Sequence, residues 1–356
     1  DEVRTYAAGN VDTSGDIDII LKLESLTVVN VATSLTESVS SEHSGALADL
    51  SVGERMTVVV TGVLFEGSHE NVTIVVDLET DVAGTSDRLS ALSASVASIG
   101  GSISGSDLAA GADGVLLDVN GDGRFESVQF AFGDVVNTGD NVIDGDDEIA
   151  ITIEVVATDI AGNAGTNGGF VGPASVQATF SSGPVTGPSF GTELEVDIVE
   201  PVLTITRTAN VTEGDAGDGV QFVITVNHDG VEATGSAYLV NVTDVLGDDF
   251  EYVPGSLSTT YGTASVVNNA VQVLLPVYDI ALAGSPLTIT YAATLTDAVT
   301  FGPDAAINEA ASLTYASADT VGTVITAAGD GDEVRTYAAG NVDTSGDIDI
   351  ILKLES

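Results

Sequence analysis

Residues 118–129 read DVNGDGRFESVQ, a spacing that suits a hard cation. Asp118, Asn120 and Asp122 carry oxygen-bearing side chains at alternate positions, and Gly123 follows at the sixth. Oxygens on every second residue converge on one side of a turning chain, and glycine lets the backbone reverse sharply between them. That is how a chain wraps calcium. Arg124, at the seventh position, would contribute its backbone carbonyl, and Glu126 stands at the ninth. At the twelfth, Gln129 stands where a bidentate carboxylate would close the shell. A further carboxylate is therefore required from elsewhere, with Asp113 and the run at 144–148 as candidates. The same residues also suit a solvated Gly–Asp hairpin turn.

The loop resembles the opening of the calcium loops of EF-hands and dockerins, although a strand rather than a helix follows it. Weaker calcium candidates are Asp140, Asp144 and Asp146, beside Asp147 and Glu148. In so acidic a chain chance alone makes such clusters, and most read as solvated loops. Catalysis finds no support. His43, His69 and His228 are isolated from one another, without the paired spacing zinc requires. No nucleophile elbow and no glycine-rich phosphate loop feeding a helix is present. The chain reads as a non-enzyme. Three NVT sequons, at Asn71, Asn210 and Asn241, are acceptors only in a host that glycosylates.

The elements that position these residues follow from composition and pattern. The 356 residues include 54 acidic and 8 basic side chains, a formal charge of −46. Such a field repels nucleic acid and anionic membranes, so neither nucleic-acid binding nor membrane insertion is expected. It also attracts divalent cations. A hydrophobic share of 44% and a positive mean hydropathy argue for a folded chain rather than a disordered one. Cysteine and tryptophan are absent, and the Gly, Thr, Ser, Asp and Val richness with two lysines points to an extracellular or cell-surface protein. No signal peptide or membrane span is read, and the chain looks like an interior excerpt of something longer.

Strand signals dominate, with alternating β-branched runs at 55–65, 71–78, 127–133, 148–159, 220–228, 270–279, 287–297 and 310–317. One segment, 86–99, places Leu89, Leu92 and Val96 at helical spacing and is the one candidate helix. Many short strands between turn signals predict an all-β chain of sandwiches.

The sequence also repeats. Residues 1–25, DEVRTYAAGNVDTSGDIDIILKLES, return letter for letter at 332–356, an offset of 331 positions. A fainter repeat lies inside that period: VGERMTVVVTG parallels AGDGVQFVITV, and GTELEVDIV (191–199) parallels SGDIDIILK (345–353). Two related modules result, 26–199 and 200–356, each closed by an acidic alternating strand. Residues 332–356 close the second module, and residues 1–25 are the closing strand of a preceding copy. Asp332, Arg335, Asp347, Asp349, Ile351 and Lys353 mark this assembly strand, and the partners expected are copies of the chain head to tail, as a homopolymer of subunits or as one covalent array.

PVLTITRTANVTEGDAGDGVQFVITVNHDG with FEYVPGSL downstream, and VQFAFGDVVNTGDN with VVATDIAGNAG in the first half, carry a likeness. They resemble the immunoglobulin-like tandem repeat domains of large prokaryotic surface proteins, namely the conserved repeat and isopeptide-type fimbrial and adhesin domains. The resemblance implies an Ig-like β-sandwich used as a structural or adhesive spacer. Some such domains join Lys to Asn by an isopeptide bond. Arg207 stands where bond-forming relatives often carry lysine, and arginine does not make that bond; Asn308 would be the partner by position. Lys22 and Lys353 are the only lysines and share one repeat position, which reads as a solvated strand edge that discourages aggregation. The function expected is a structural unit of an extracellular filament, adhesin stalk or surface-layer-like fibre, stiffened by calcium. The alternative is an adhesin module whose partner is a glycan or cell surface, with Tyr252, Tyr261, Tyr278 and Tyr291 as the stacking candidates.

Overall fold

In a computed structural model of the chain, the residues described are 23–31, 49–64, 66–79, 87–140, 142, 144–160, 163, 173–181, 190–229, 235–282, 284–296, 306–308, 310–317, 336–338 and 348–352. The first half holds β1 (Leu23–Val31), β2 (Asp49–Ser51), β3 (Arg55–Leu64), β4 (Gly67–Leu78), β5 (Leu89–Ile99), β6 (Ile103–Ser104), β7 (Val115–Leu117), β8 (Ser127–Asn137), β9 (Glu148–Ala157), β10 (Pro173–Ser181) and β11 (Phe190–Val199). The second half holds β12 (Leu203–Ala209), β13 (Glu213–Gly214), β14 (Gly219–His228), β15 (Ala237–Val245), β16 (Phe250–Tyr252), β17 (Ser258–Thr259), β18 (Thr263–Val267), β19 (Ala270–Tyr278), β20 (Leu287–Leu295), β21 (Ala306–Asn308), β22 (Ser312–Ala316), β23 (Thr336–Ala338) and β24 (Ile348–Leu352). Among the described residues the helical turns are short 3₁₀ pieces, and no helix is long and apolar enough to cross a membrane.

The chain is all-β, as its alternating runs require. β3 shows the rule: Met56, Val58 and Val60 are fully buried while Thr57, Val59 and Thr61 are half-buried on the other face. One sheet runs β1-β3-β9-β5 and a second β2-β11-β10-β4-β8-β6, and their inner faces share one apolar core from Leu50 to Ile198. In the second half the sheets β12-β14-β20-β16 and β18-β19-β15-β22-β23 enclose another core, from Leu203 to Tyr315. Face-to-face sheets with one shared core are sandwiches.

A likeness in connectivity accompanies the likeness in sequence. β11 pairs in parallel with β2, matching Asp197, Ile198 and Val199 to Asp49, Leu50 and Ser51. β24 pairs in parallel with β13, matching Ile351 and Leu352 to Glu213 and Gly214. Every other pairing among the described strands is antiparallel. The two halves also touch: the buried Ser317 hydroxyl donates to the Val52 carbonyl at 2.6 Å.

The segment 86–99, the one candidate helix of the sequence, instead holds the strand β5, Leu89–Ile99; Ser86 lies outside the described residues. The ladder of β5 with β9 slips between Ala91 and Ser93 and again between Val96 and Ser98. Each slip is a bulge that inserts one residue and shifts the alternation. Buried Leu89, Ala91, Ala94 and Val96 and half-buried Ile99 are consequently spaced two and three apart in turn. That rhythm imitates a helix.

Gly100 ends this strand where no side chain fits. A Cβ there would lie 2.1 Å from the Asp146 carbonyl oxygen and 2.3 Å from its carbon, both backbone. Gly100→Ala is expected to destabilise the first core by about 1–3 kcal/mol, the usual cost of overpacking, read as a lowered midpoint in urea unfolding.

Candidate cation loop and closing strand

β7 and β8 form a hairpin, with Leu117 opposite Ser127, and residues 118–126 are its connection. Short polar side chains fold this loop on itself. The Asp118 carboxylate accepts from Gly121 N at 2.6 Å and from Gly123 N at 3.1 Å. Asn120 Oδ1 accepts from Asp122 N, and Asp122 Oδ1 from Arg124 N. Gly121 and Gly123 have φ of 81° and 92°, left-handed values that favour glycine. At the base, Glu126 Oε1 accepts from Val119 N at 2.7 Å and from Asn120 N at 2.8 Å.

The loop docks against the start of β5. Phe125 N donates to Ser90 Oγ at 3.0 Å, and Ala91 N donates to the Phe125 carbonyl at 2.8 Å. This contact brings in a residue that sequence reading passed over. Asp87, fully buried, accepts from Asn120 Nδ2 at 2.7 Å through Oδ1. Its backbone is fixed by the Thr158 hydroxyl, which donates to the Asp87 carbonyl. The neighbouring Arg88 donates to Asn163 Oδ1 at 3.0 Å and to Glu79 Oε1 at 3.1 Å. Burial, then the negative charges of Asp122 and Glu126, push the Asp87 carboxyl from 3.8 up to about 7, against the Asn120 hydrogen bond and the Arg124 charge.

The other acidic candidates are occupied differently. Asp113 is exposed and bridges to Ser95, farther along β5 than the Ser90 and Ala91 that the loop touches. Asp144 and Asp147 form a reciprocal cap on the 3₁₀ turn Gly145–Asp147, with Asp144 Oδ1 accepting from Asp146 N at 2.9 Å. Asp140 Oδ1 accepts from Val142 N at 2.8 Å. Buried Asp147 accepts from Asn137 Nδ2 at 2.9 Å, which places this turn at the far end of β8 from the loop. The run 144–148 thus lies away from the loop and Asp113 pairs with Ser95, whereas Asp87 stands beside the loop. Among the described residues no three His, Cys, Asp or Glu side chains are already assembled as a metal site.

Of the duplicated segment, the structure describes β23 and β24, together with Leu23–Ser25 at the start of β1. β23 pairs with β22, setting Ala338 against Thr314 and Thr336 against Ala316. β24 pairs with β21, setting Ile350 against Ala306 and Ile348 against Asn308. Asp349 and Ile351 thus sit in a paired strand, whereas Asp332, Arg335, Asp347 and Lys353 lie outside the described residues.

Arg207 lies on β12 and reaches across the core. Its guanidinium donates to Asp244 Oδ1 on β15 at 2.6 Å, both side chains being fully buried, and the Tyr291 hydroxyl on β20 donates to Asp244 Oδ2 at 2.5 Å. A charged clasp therefore joins the two sheets where the resemblance implied a bond-forming lysine. The four tyrosine candidates form no exposed stacking platform. Tyr278 and Tyr291 are buried, and half-buried Tyr252 and Tyr261 pack against the second core. His228 is a core residue as well, its Nε2 3.0 Å from the Tyr278 carbonyl and its ring stacked on Tyr278, with burial pushing its pKa down.

No protein-family model and no curated protein matches the chain. Among solved structures it is similar to the C-terminal domain of the Streptococcus agalactiae AgI/II polypeptide BspA, at 7% identity over 86% of this chain and 95% of that one, with a TM-score of 0.41. It is similar also to the C-terminal domain of AspA, an antigen I/II-family protein of Streptococcus pyogenes, at 10% identity over 92% and 97%, TM-score 0.39. The collagen adhesin of S. aureus gives 12% identity over 89% and 94%, TM-score 0.23. These neighbours are bacterial surface proteins; at such TM-scores the assignment of sandwiches here rests on strand pairing and cores alone.

Proposed function

We propose that the chain is one period of a longer array of β-sandwich modules, 26–199 and 200–356, joined head to tail through the duplicated segment. Its role is structural, as part of an extracellular filament, adhesin stalk or surface-layer-like fibre. The observation that carries this reading is the pairing of β23 and β24. Both lie in the second copy of the segment and both add to strands of the second half. In the first copy, the last residues of the same segment, Leu23–Ser25, already belong to β1, which pairs with β3 of the first core.

Superposing the two copies by sequence, β24 ends at Leu352, which corresponds to position 21, and β1 begins at Leu23. Two sandwiches that follow so closely in sequence leave no room for a long flexible linker. The internal junction is similarly spare: β11 ends at Val199 and β12 begins at Leu203, with Glu200 and Pro201 buried. The charge of −46 fits an element that must stay soluble while many copies lie close together.

Two periods fused in the 331-residue register, sharing one copy of the segment, test the reading by small-angle scattering. The expected result is a maximum dimension close to twice that of one period, as for a rod. Two modules tumbling independently on a soft joint, or a folded-back globule, would overturn it.

A further inference from the structure

We infer that Asp87, Asp122 and Glu126 form the carboxylate wall of a calcium seat, closed over by the 118–126 hairpin loop. This inference stands on side-chain geometry in the first half and does not depend on the array.

The observation behind it is a set of buried oxygens without partners. Asp87 Oδ2, Asp122 Oδ2 and Glu126 Oε2 are each shielded from solvent and accept no hydrogen bond. Asp87 is 0% and Glu126 7% exposed, so both are more than nine-tenths buried. A carboxyl group is rarely left this way, because its buried oxygens go without a partner and its charged form costs several kcal/mol to desolvate unless something positive faces it. Arg124 NH1 stands 3.9 Å from Asp122 Oδ2, beyond hydrogen-bond reach. One guanidinium at that distance does not balance three neighbouring carboxylates.

The remaining oxygen of each group is already committed to the loop. Asp87 Oδ1 holds Asn120, Asp122 Oδ1 holds the Arg124 amide, and Glu126 Oε1 holds the Val119 and Asn120 amides. Those bonds fix the orientation of each carboxylate and leave its second oxygen for a ligand. Asp118 and Asn120 spend their acceptors on Gly121, Gly123 and Asp122 amides, so they shape the loop. Among the described residues the three carboxylates do not form a closed shell as they stand; the seat requires side-chain rotation to close on the cation, whose charge offsets their mutual repulsion. Calcium suits this seat because it accepts six to eight oxygens at irregular angles, with loop carbonyls and water completing the shell. Magnesium requires a near-ideal octahedron and dehydrates reluctantly. Asp87 also supplies the carboxylate that Gln129 at the twelfth position does not.

Calorimetric titration of CaCl₂ into the chelator-stripped chain tests the seat, with Asp87→Asn as the variant. Asparagine keeps the Asn120 contact through Oδ1 and removes one ligand and one charge. The expected result is one tight equivalent of calcium on the parent chain, weakened at least tenfold by Asp87→Asn. The variant's melting temperature in chelator should equal or exceed that of the parent, because a buried like charge has gone. Calcium, but not NaCl at equal ionic strength, should raise the melting temperature of the parent alone, since a ligand that binds only the folded state stabilises it. Glu126→Gln carries the same expectation and serves if Asp87→Asn fails to fold. Absence of a tight equivalent, equal shifts with NaCl, or undiminished calcium affinity in a folded variant would each overturn the seat.

Discussion

Arg207→Met is expected to cost the second sandwich about 3–5 kcal/mol, because it leaves the Asp244 carboxylate charged and buried with one partner removed. Both side chains are fully out of water, and the pair spans the two sheets between β12 and β15. Tyr291 would remain on Asp244 Oδ2, but one neutral hydroxyl does not replace a guanidinium at 2.6 Å. Urea unfolding, followed by a probe local to the second half, should show the lower midpoint while the first half unfolds as before. Replacing both charges, Arg207→Met with Asp244→Leu, should recover most of the loss, since an apolar pair carries no desolvation cost. If the single variant unfolds like the parent, the clasp adds nothing to stability.

The second large effect concerns the closing segment. Removing residues 332–356 would delete the ladders of β24 with β13 and β21 and of β23 with β22. At about 1 kcal/mol net for each backbone hydrogen bond, the second half should lose several kcal/mol, a fall in its melting temperature of about 10 °C or more. The first half should melt unchanged. A synthetic peptide of residues 1–25 is identical to the deleted segment and should restore the lost transition in trans, as strand addition to an open edge does. Unchanged melting of the truncated chain would refute the assignment of 332–356 as the closing strand.

Much of this was legible in the sequence because two-residue alternation survives wherever a strand keeps its register. β3, β9, β14 and β20 lie where their runs of buried and half-buried residues placed them. β5 was not legible, because two bulges broke its alternation into a rhythm shared with helices. The loop at 118–126 was visible as a motif, its spacing being local. Asp87 was invisible for the opposite reason: it lies more than thirty residues upstream and meets the loop only through the docking of β5 against Phe125. Nothing in the local sequence TSDRLS marks it as part of a cluster. Arg207 was noticed as an obstacle to a covalent bond, while its ionic partner on β15 emerged only from the sheet order.

The parallel pairing of β2 with β11 and of β13 with β24 has a mechanical consequence. When a chain is pulled from its ends, the strand near the way in and the strand near the way out are drawn in opposite directions. Antiparallel neighbours loaded in that manner can peel apart one bond at a time. Parallel neighbours must slide, so every bond in the ladder resists together. The first sandwich sets three residues against three in this shear arrangement and the second sets two against two. Under tension between the ends of the chain, the second sandwich would be the fuse, yielding first and lengthening the chain while the first holds.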